Sequence, residues 1–209
     1  AREPRAAANG RIFVIGPSTS LLRLRDARSA PPSKFSHMGL RTIPFNPPSW
    51  AKTLLVPTHG RLPIARLPTP VIPWNCGELS DLGVEWWIKR DDLTGNELSG
   101  NKARKLELLM AEALGLGCDT VVTIGGVQSN HCRATAAAAR LAGLEPHVVL
   151  LVRDRAINDE VGLGGNLLVE RLLGTKLHLC AAKHYVKNGG DLAAMDKLNE
   201  AAAAKLRRQ

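Results

Sequence analysis

The second half of the chain alternates short apolar runs with segments of helical periodicity, and this pattern restricts the possible folds more than any other feature. The runs D-T-V-V-T-I-G-G, H-V-V-L-L-V and K-L-H-L-C, which begin at residues 119, 147 and 176, are typical of buried strands. Helical segments separate them; the one at residues 103–114 carries apolar side chains at helical spacing and ends at Gly115 and Gly117. Alternation of this kind predicts an α/β fold with an open parallel sheet and helices on both of its faces.

The first part of the chain has a different composition. Residues 1–50 carry +6 of the net charge of +9. An Arg-rich, acid-poor start is typical of an organellar targeting segment, so we expect residues 1–45 to be a disordered extension outside the fold. A basic arm for nucleic acid is the alternative, but no aromatic or Gly/Arg interleaving supports it, and we predict no nucleic-acid partner. No run of about 18 apolar residues exists, so we predict no membrane span.

The middle of the chain is irregular. Prolines between residues 31 and 73 favour extended surface segments, and V-E-W-W-I-K-R-D-D, residues 84–92, predicts a strand that ends in charged residues. The four cysteines form no C-x-x-C pair and have no metal-ligand spacing with histidine, so we predict no metal site.

Lys102 follows the polar triplet S-G-N at the start of the predicted helix. The helix dipole is positive at that end, which disfavours a cation, and Arg104 and Lys105 add positive charge. Asn101 is the predicted helix cap, and Gly100 allows a ligand to approach the backbone closely. Lys102 is therefore either an ordinary solvated charge or an amine nucleophile.

The second polar cluster, Gln128, Ser129, Asn130 and His131, lies between a predicted strand and a predicted helix. In an open parallel sheet the ligand crevice lies at the carboxyl ends of the strands, and a helix N-terminus there suits an anion. The same residues also fit a simple turn and helix cap. A dinucleotide site is disfavoured because I-G-G-V-Q-S-N is not G-x-G-x-x-G, and Cys132 is expected to pack in the core.

Three ordered motifs resemble one known family. W-I-K-R-D-D-L-T-G, E-L-S-G-N-K-A-R-K-L-E and D-T-V-V-T-I-G-G-V-Q-S-N-H-C-R-A-T-A are similar to the D-cysteine desulfhydrase and aminocyclopropane-carboxylate deaminase family. These are pyridoxal-phosphate enzymes with the tryptophan-synthase β-subunit-like fold. The resemblance implies that residues 46–104 are the N-terminal part of a large cofactor domain and that residues 105–209 are a smaller inserted α/β domain.

The resemblance also implies roles for particular residues. Lys102 would bind pyridoxal phosphate covalently and move the substrate proton, with Asn101 beside it in the cofactor site. Asn130 would lie near the phenolic oxygen of the cofactor, and Ser129 near the substrate carboxylate as a catalytic and substrate-binding residue. Gln128 and His131 would line the substrate pocket, and the histidine favours the desulfhydrases over the deaminases.

The family further implies a small amino-acid substrate, a homodimer at full length and, by likeness to plant members, a mitochondrial location, with plastid or cytoplasm as alternatives. We expect the glycine-rich phosphate loop and the rest of the large domain to lie beyond residue 209. The chain would then bind the cofactor weakly or not at all. Deaminase activity and an inactive truncated product that acts as an interaction module are the alternative functions.

Overall fold

The computed structural model describes residues 11–15, 39–51, 56–74, 77, 83–95, 100–152, 162–190 and 192–207. Within these ranges the strands are β1 (Ile12–Ile15), β2 (Val71–Pro73), β3 (Trp87–Lys89), β4 (Thr120–Gly126), β5 (Glu145–Val152) and β6 (Lys176–Ala181). The α-helices there are α1 (Ala103–Gly115), α2 (Asn130–Leu141), α3 (Gly165–Leu172), α4 (Ala182–Lys187) and α5 (Leu192–Leu206).

The main sheet is parallel throughout and has the strand order β1-β4-β5-β6. β4 lies inside the sheet, with Thr123 in register with Ile15 of β1 on one side and with Val148 of β5 on the other. A separate antiparallel pair joins β2 to β3, with Ile72 opposite Ile88. The carboxyl end of β4 therefore lies between two neighbouring strands, where an open parallel sheet forms its ligand crevice.

Helices cover both faces of the main sheet, as the alternating pattern predicts. α1 and α2 pack on the face that carries Phe13, Ile15 and Val121, while α5 packs on the face that carries Val122 and Ile124. α3 packs on the same face as α2, through Leu167. The alanines of α2 have little side chain to separate the helix from the strands, so this helix lies close on the sheet. Its buried residues are Cys132, Ala134, Thr135, Ala136, Ala137, Ala138 and Ala139.

β1 is a correction to the sequence analysis. Residues 12–15 are buried and pair with residues 120–123 of β4, although we expected residues 1–45 to be a disordered extension. The four side chains I-F-V-I are all apolar, so both faces of this short strand are covered, one by α1 and one by α5. Of the rest of the predicted targeting segment, only residue 11 and residues 39–45 are among the described residues.

Buried Glu107 joins the irregular lead-in to α1. Its carboxylate forms an ion pair with Arg61 at 2.9 Å and accepts a hydrogen bond from the backbone N–H of Ala65 at 2.9 Å. Its backbone oxygen accepts from the N–H of Leu62 at 2.9 Å, and Leu62 is fully buried against the helix. A buried carboxylate needs such partners, and here they fix α1 to the segment that precedes it.

Three other elements of the structure differ from the sequence predictions in length or were not predicted. The strand predicted over residues 84–92 is only three residues long, and β2 lies at the end of the proline-containing segment for which we predicted extended surface structure but no strand. Pro73 ends β2, a position where a missing N–H is tolerated. α4 was not predicted. No helix in the described ranges is long and apolar enough to cross a membrane.

Candidate active site

Lys102 lies at the start of α1 as its N-terminal boundary residue. Gly100 has a φ of +88°, which glycine adopts without strain, and its carbonyl oxygen accepts from the N–H of Ala103 at 3.1 Å. No side chain caps this helix, so the prediction that Asn101 is the cap is wrong; Asn101 is exposed in the turn before α1. Ser99 lies outside the described residues. Lys102 itself is half-buried, which is compatible with an amine that faces a crevice.

The two cations beside Lys102 have different surroundings. Arg104 donates to Asp91 at 3.0 Å and to the hydroxyl of Thr69 at 3.1 Å, so a carboxylate offsets its charge. Lys105 is half-buried; burial lowers its pKa, and the positive charge of Lys102 lowers it further. Lys105 is therefore the cation that shares an electrostatic environment with Lys102.

Ser129 ends the β4–α2 loop and caps α2. Its backbone is extended, and its Oγ accepts from the N–H of Cys132 at 3.3 Å, which leaves the hydroxyl hydrogen able to donate. Gly125 makes this arrangement possible, since a Cβ at that position would lie 2.8 Å from Ser129 Oγ and 2.6 Å from Cys132 Sγ. The loop thus fits because residue 125 of β4 has no side chain.

A set of amide hydrogen bonds ties this loop to the start of α3. The side chain of Gln128 accepts from the N–H of Asn166 at 2.9 Å and donates to the carbonyl of Gly164 at 3.1 Å. The Asn166 amide donates to the Gln128 carbonyl at 2.8 Å and to Asn130 Oδ1 at 2.9 Å. The oxygen of the Asn130 amide therefore accepts within the protein, and its NH₂ group is the part left to donate to a ligand.

His131 follows in the first turn of α2. Its Nε2 lies 3.3 Å from Thr123 Oγ1, while its Nδ1 is buried and has no hydrogen-bond partner among the described residues. Burial, and after it the positive charges of Lys105 and Lys102, lower the pKa of His131 to about 4. The imidazole is consequently neutral at physiological pH.

Cys132 follows in the first turn of α2, and its backbone N–H donates to Ser129 Oγ. It is fully buried in the cluster of Val148, Leu150 and Leu167, and burial raises its pKa to about 12. The thiol is therefore a core residue rather than a nucleophile, in agreement with the sequence analysis.

The structure brings several of the predicted residues to one edge of the sheet. The charge of Lys102 acts on His131, and Ser129 and Asn130 lie beside that histidine at the N-terminus of α2. Gln128 uses both ends of its amide to hold the loop, so its described contacts are structural. The sequence analysis missed the contacts of Thr123 and Asn166, and it named Lys105 only as an added positive charge. Of these, only Asn166 had a local signal, the G-L-G-G-N motif before α3.

The fold and these motifs define the class of protein. Residues 63–209 match the family model described as pyridoxal-phosphate dependent enzyme, and the chain belongs to that family. The prediction of a pyridoxal-phosphate enzyme, made from the three motifs, is thus confirmed.

Two relatives of known name show which members of the family this chain is similar to. The chain is 52% identical over 149 residues to an Arabidopsis thaliana protein named bifunctional D-cysteine desulfhydrase/1-aminocyclopropane-1-carboxylate deaminase, mitochondrial, a match that covers 71% of this chain and 37% of the relative. It is 47% identical over 109 residues to the D-cysteine desulfhydrase of Serratia proteamaculans, with coverage of 51% and 32%. The chain therefore spans about a third of the length of these relatives.

A solved structure supports the fold. The chain superposes on the crystal structure of an ACC deaminase homologue with a TM-score of 0.56 and 34% identity, over 71% of this chain and 41% of the other. The predicted tryptophan-synthase β-subunit-like fold is thereby confirmed.

The residues at the edge of the sheet fit the cofactor of this family. Pyridoxal phosphate needs an amine for its aldehyde and hydrogen-bond donors for its anionic oxygens. Lys102 has the amine that the aldehyde would need, while the Asn130 NH₂ group and the Ser129 hydroxyl are free to donate at the positive end of α2. The buried, unpartnered Nδ1 of His131 adds an acceptor at the same place, which is unusual unless a donor is to bind there.

Proposed function

We propose that this chain is the lysine-bearing part of a pyridoxal-phosphate lyase that converts D-cysteine and water to pyruvate, hydrogen sulfide and ammonia. The observation that carries the proposal is that Lys102 begins α1 while Ser129, Asn130 and His131 follow the carboxyl end of β4, near enough for the charge of Lys102 to lower the pKa of His131. The names of the relatives supply the substrate, and His131 favours the desulfhydrases.

Each residue has a definite task in this proposal. Lys102 would hold the cofactor through Nζ, and the same amine would take the proton from the substrate Cα. Ser129 donates its hydroxyl hydrogen to the substrate carboxylate, and Asn130 donates from its NH₂ group to the cofactor. Asn101 lines the cofactor site, and Gln128 and His131 line the substrate pocket. When bound, the cofactor would supply an electron sink for the bonding electrons of the substrate Cα, the chemistry that elimination of sulfide from Cβ requires.

A chimera tests the activity, because the relatives supply the remaining two thirds. The aligned 149 residues of this chain replace their counterparts in the Arabidopsis thaliana enzyme, and sulfide release is measured with D-cysteine and L-cysteine. We expect release from D-cysteine that is lost in Lys102→Ala and kept in Lys176→Ala, which removes an exposed lysine of β6. A well-folded chimera that releases no sulfide, or that works without Lys102, contradicts the proposal.

Deamination of 1-aminocyclopropane-1-carboxylate is the second candidate, favoured by the name of the Arabidopsis thaliana relative. The same chimera is assayed for 2-oxobutyrate. If ring opening is the main activity, its kcat/KM exceeds that for D-cysteine. Because a histidine at this position favours the desulfhydrases, replacement of His131 by glutamine should then raise the deaminase share further.

We also propose a mitochondrial location and a homodimer. The location rests on the basic composition of residues 1–50 and on the relative named mitochondrial. A reporter fused to residues 1–50 tests import, and cytosolic fluorescence contradicts it. Light scattering of the chimera tests the dimer, and a monomer mass at micromolar concentration contradicts it.

A further inference from the structure

A chain of hydrogen bonds runs from His131 on α2 through Thr123 on β4 to Ile15 on β1. Thr123 Oγ1 lies 3.3 Å from His131 Nε2 and 3.0 Å from the carbonyl oxygen of Ile15. The same carbonyl oxygen accepts from the buried Asn199 amide of α5 at 2.9 Å. The edge strand β1 thus provides the end point of a path that starts at the candidate active site.

The direction of these hydrogen bonds follows from the inventory of protons. A carbonyl oxygen only accepts, so the single hydroxyl hydrogen of Thr123 must lie toward Ile15. That hydrogen is then not available for His131. The contact between His131 Nε2 and Thr123 is a hydrogen bond only if Nε2 carries a proton and donates.

The other ring nitrogen supports the same assignment. Nδ1 is buried without a partner among the described residues, and the charged groups that act on the ring are Lys105 and Lys102. An N–H at Nδ1 would be a buried donor in the field of two cations, with no acceptor among the described residues. A lone pair at Nδ1 avoids this conflict and offers those amines an acceptor.

We propose that Thr123 is a positioning residue that fixes His131 in its neutral Nε2–H tautomer, so that Nδ1 accepts a hydrogen bond from the ammonium group of Lys102. The tautomer follows from the protein alone, whereas the role of Nδ1 toward Lys102 rests on the proposed function. In that role His131 stabilises the proton that Lys102 holds after taking it from the substrate. Because the pKa of His131 is about 4, the ring stays neutral and Nδ1 stays an acceptor throughout the neutral range.

Nitrogen NMR of the 209-residue chain tests the tautomer without cofactor. Long-range ¹H–¹⁵N spectra of histidine-labelled protein at pH 7 distinguish protonated from unprotonated ring nitrogens, and His131→Gln assigns the signals. We expect protonated Nε2 in the wild type and in Thr123→Ser, which keeps the hydroxyl, and a mixed or reversed tautomer in Thr123→Val. The His147 and His178 signals report whether the variant is folded.

Two results would overturn the tautomer assignment. One is a wild-type ring that is protonated on Nδ1, a measurement that needs no variant. The other is a folded Thr123→Val protein whose His131 spectrum equals that of the wild type. If Thr123→Val does not fold, the wild-type and Thr123→Ser spectra decide, since loss of the Nε2 proton in either contradicts the proposal.

The role toward Lys102 is tested in the chimera with D-cysteine. Loss of one hydrogen bond to the ammonium group predicts a kcat about tenfold lower in Thr123→Val, with KM within about twofold and with recovery in Thr123→Ser. A changed tautomer with unchanged kcat overturns that role. An inactive wild-type chimera would instead contradict the proposed function, and the NMR result would stand apart from it.

Discussion

Glu170 provides a stability prediction that follows directly from the packing of α3. The side chain is fully buried, and neither carboxylate oxygen has a hydrogen-bond partner among the described residues. Burial raises its pKa from 4.5 to about 7, although the positive charge of Arg133 opposes the rise. The folded chain therefore prefers this carboxyl group protonated.

The sign of the pH dependence follows from proton binding. Between pH 4.5 and about 7 the folded chain holds a proton on Glu170 that the unfolded chain has lost, so the free energy of unfolding falls as the pH rises. The fall is complete above about pH 7. The pKa of Glu170 rises from 4.5 in the unfolded chain to about 7 in the folded chain. At about 1.4 kcal/mol for each pH unit, the free energy of unfolding falls by about 3 kcal/mol in total.

Glu170→Gln keeps the shape of the side chain and removes the ionisation. We expect the variant to be up to about 3 kcal/mol more stable than the wild type at pH 8 and nearly equal to it at pH 4.5. Urea unfolding followed by circular dichroism between pH 4.5 and 8 measures this. Glu200→Gln, at an exposed position of α5, is the matched control and should leave the wild-type pH dependence unchanged. The reasoning fails if Glu170→Gln retains the wild-type slope or is less stable at pH 8.

Two further predictions concern the packing around the candidate site. Gly165→Ala should lower the free energy of unfolding by about 2 kcal/mol more than Gly162→Ala; both glycines have positive φ, but only at Gly165 would a Cβ lie 2.4 Å from Gln128 Oε1. Equal losses in thermal unfolding would show that the contact with Gln128 does not matter. Maleimide should modify half-buried Cys180 in the folded chain well before fully buried Cys132, and both in urea; early modification of Cys132, read by mass spectrometry, would contradict its placement in the core.

The sequence predicted the parts of the fold in which local pattern and tertiary contacts agree. β4 and β5 are continuous apolar runs because helices cover both faces of the sheet, and α1 shows its buried face directly in the spacing of Leu106 and Met110. β1 was missed because four apolar residues in an Arg-rich segment resemble a targeting peptide. Only pairing with β4, more than a hundred residues later in the chain, makes them a strand.

In the candidate site, too, local sequence indicated some residues, while contacts between distant residues could not be predicted. Lys102 and Q-S-N-H could be identified because each stands at the start of a helix, where ligand-binding groups are expected. Two other contacts join separate elements, and no local pattern indicates them. Gln128 contacts residues 164–166, and His131 contacts Thr123. Asn101 was wrongly predicted as a cap because its residue type suits a cap, whereas the backbone places Lys102 at that position.

The central claim is that Lys102 is the residue to which the cofactor is attached. The chimera with bound pyridoxal phosphate is reduced with borohydride, digested and analysed by mass spectrometry. Our account predicts one reduced cofactor per chain on Lys102, and none on Lys105 three residues later. Stoichiometric label on Lys105 or elsewhere, with Lys102 unmodified, would contradict it.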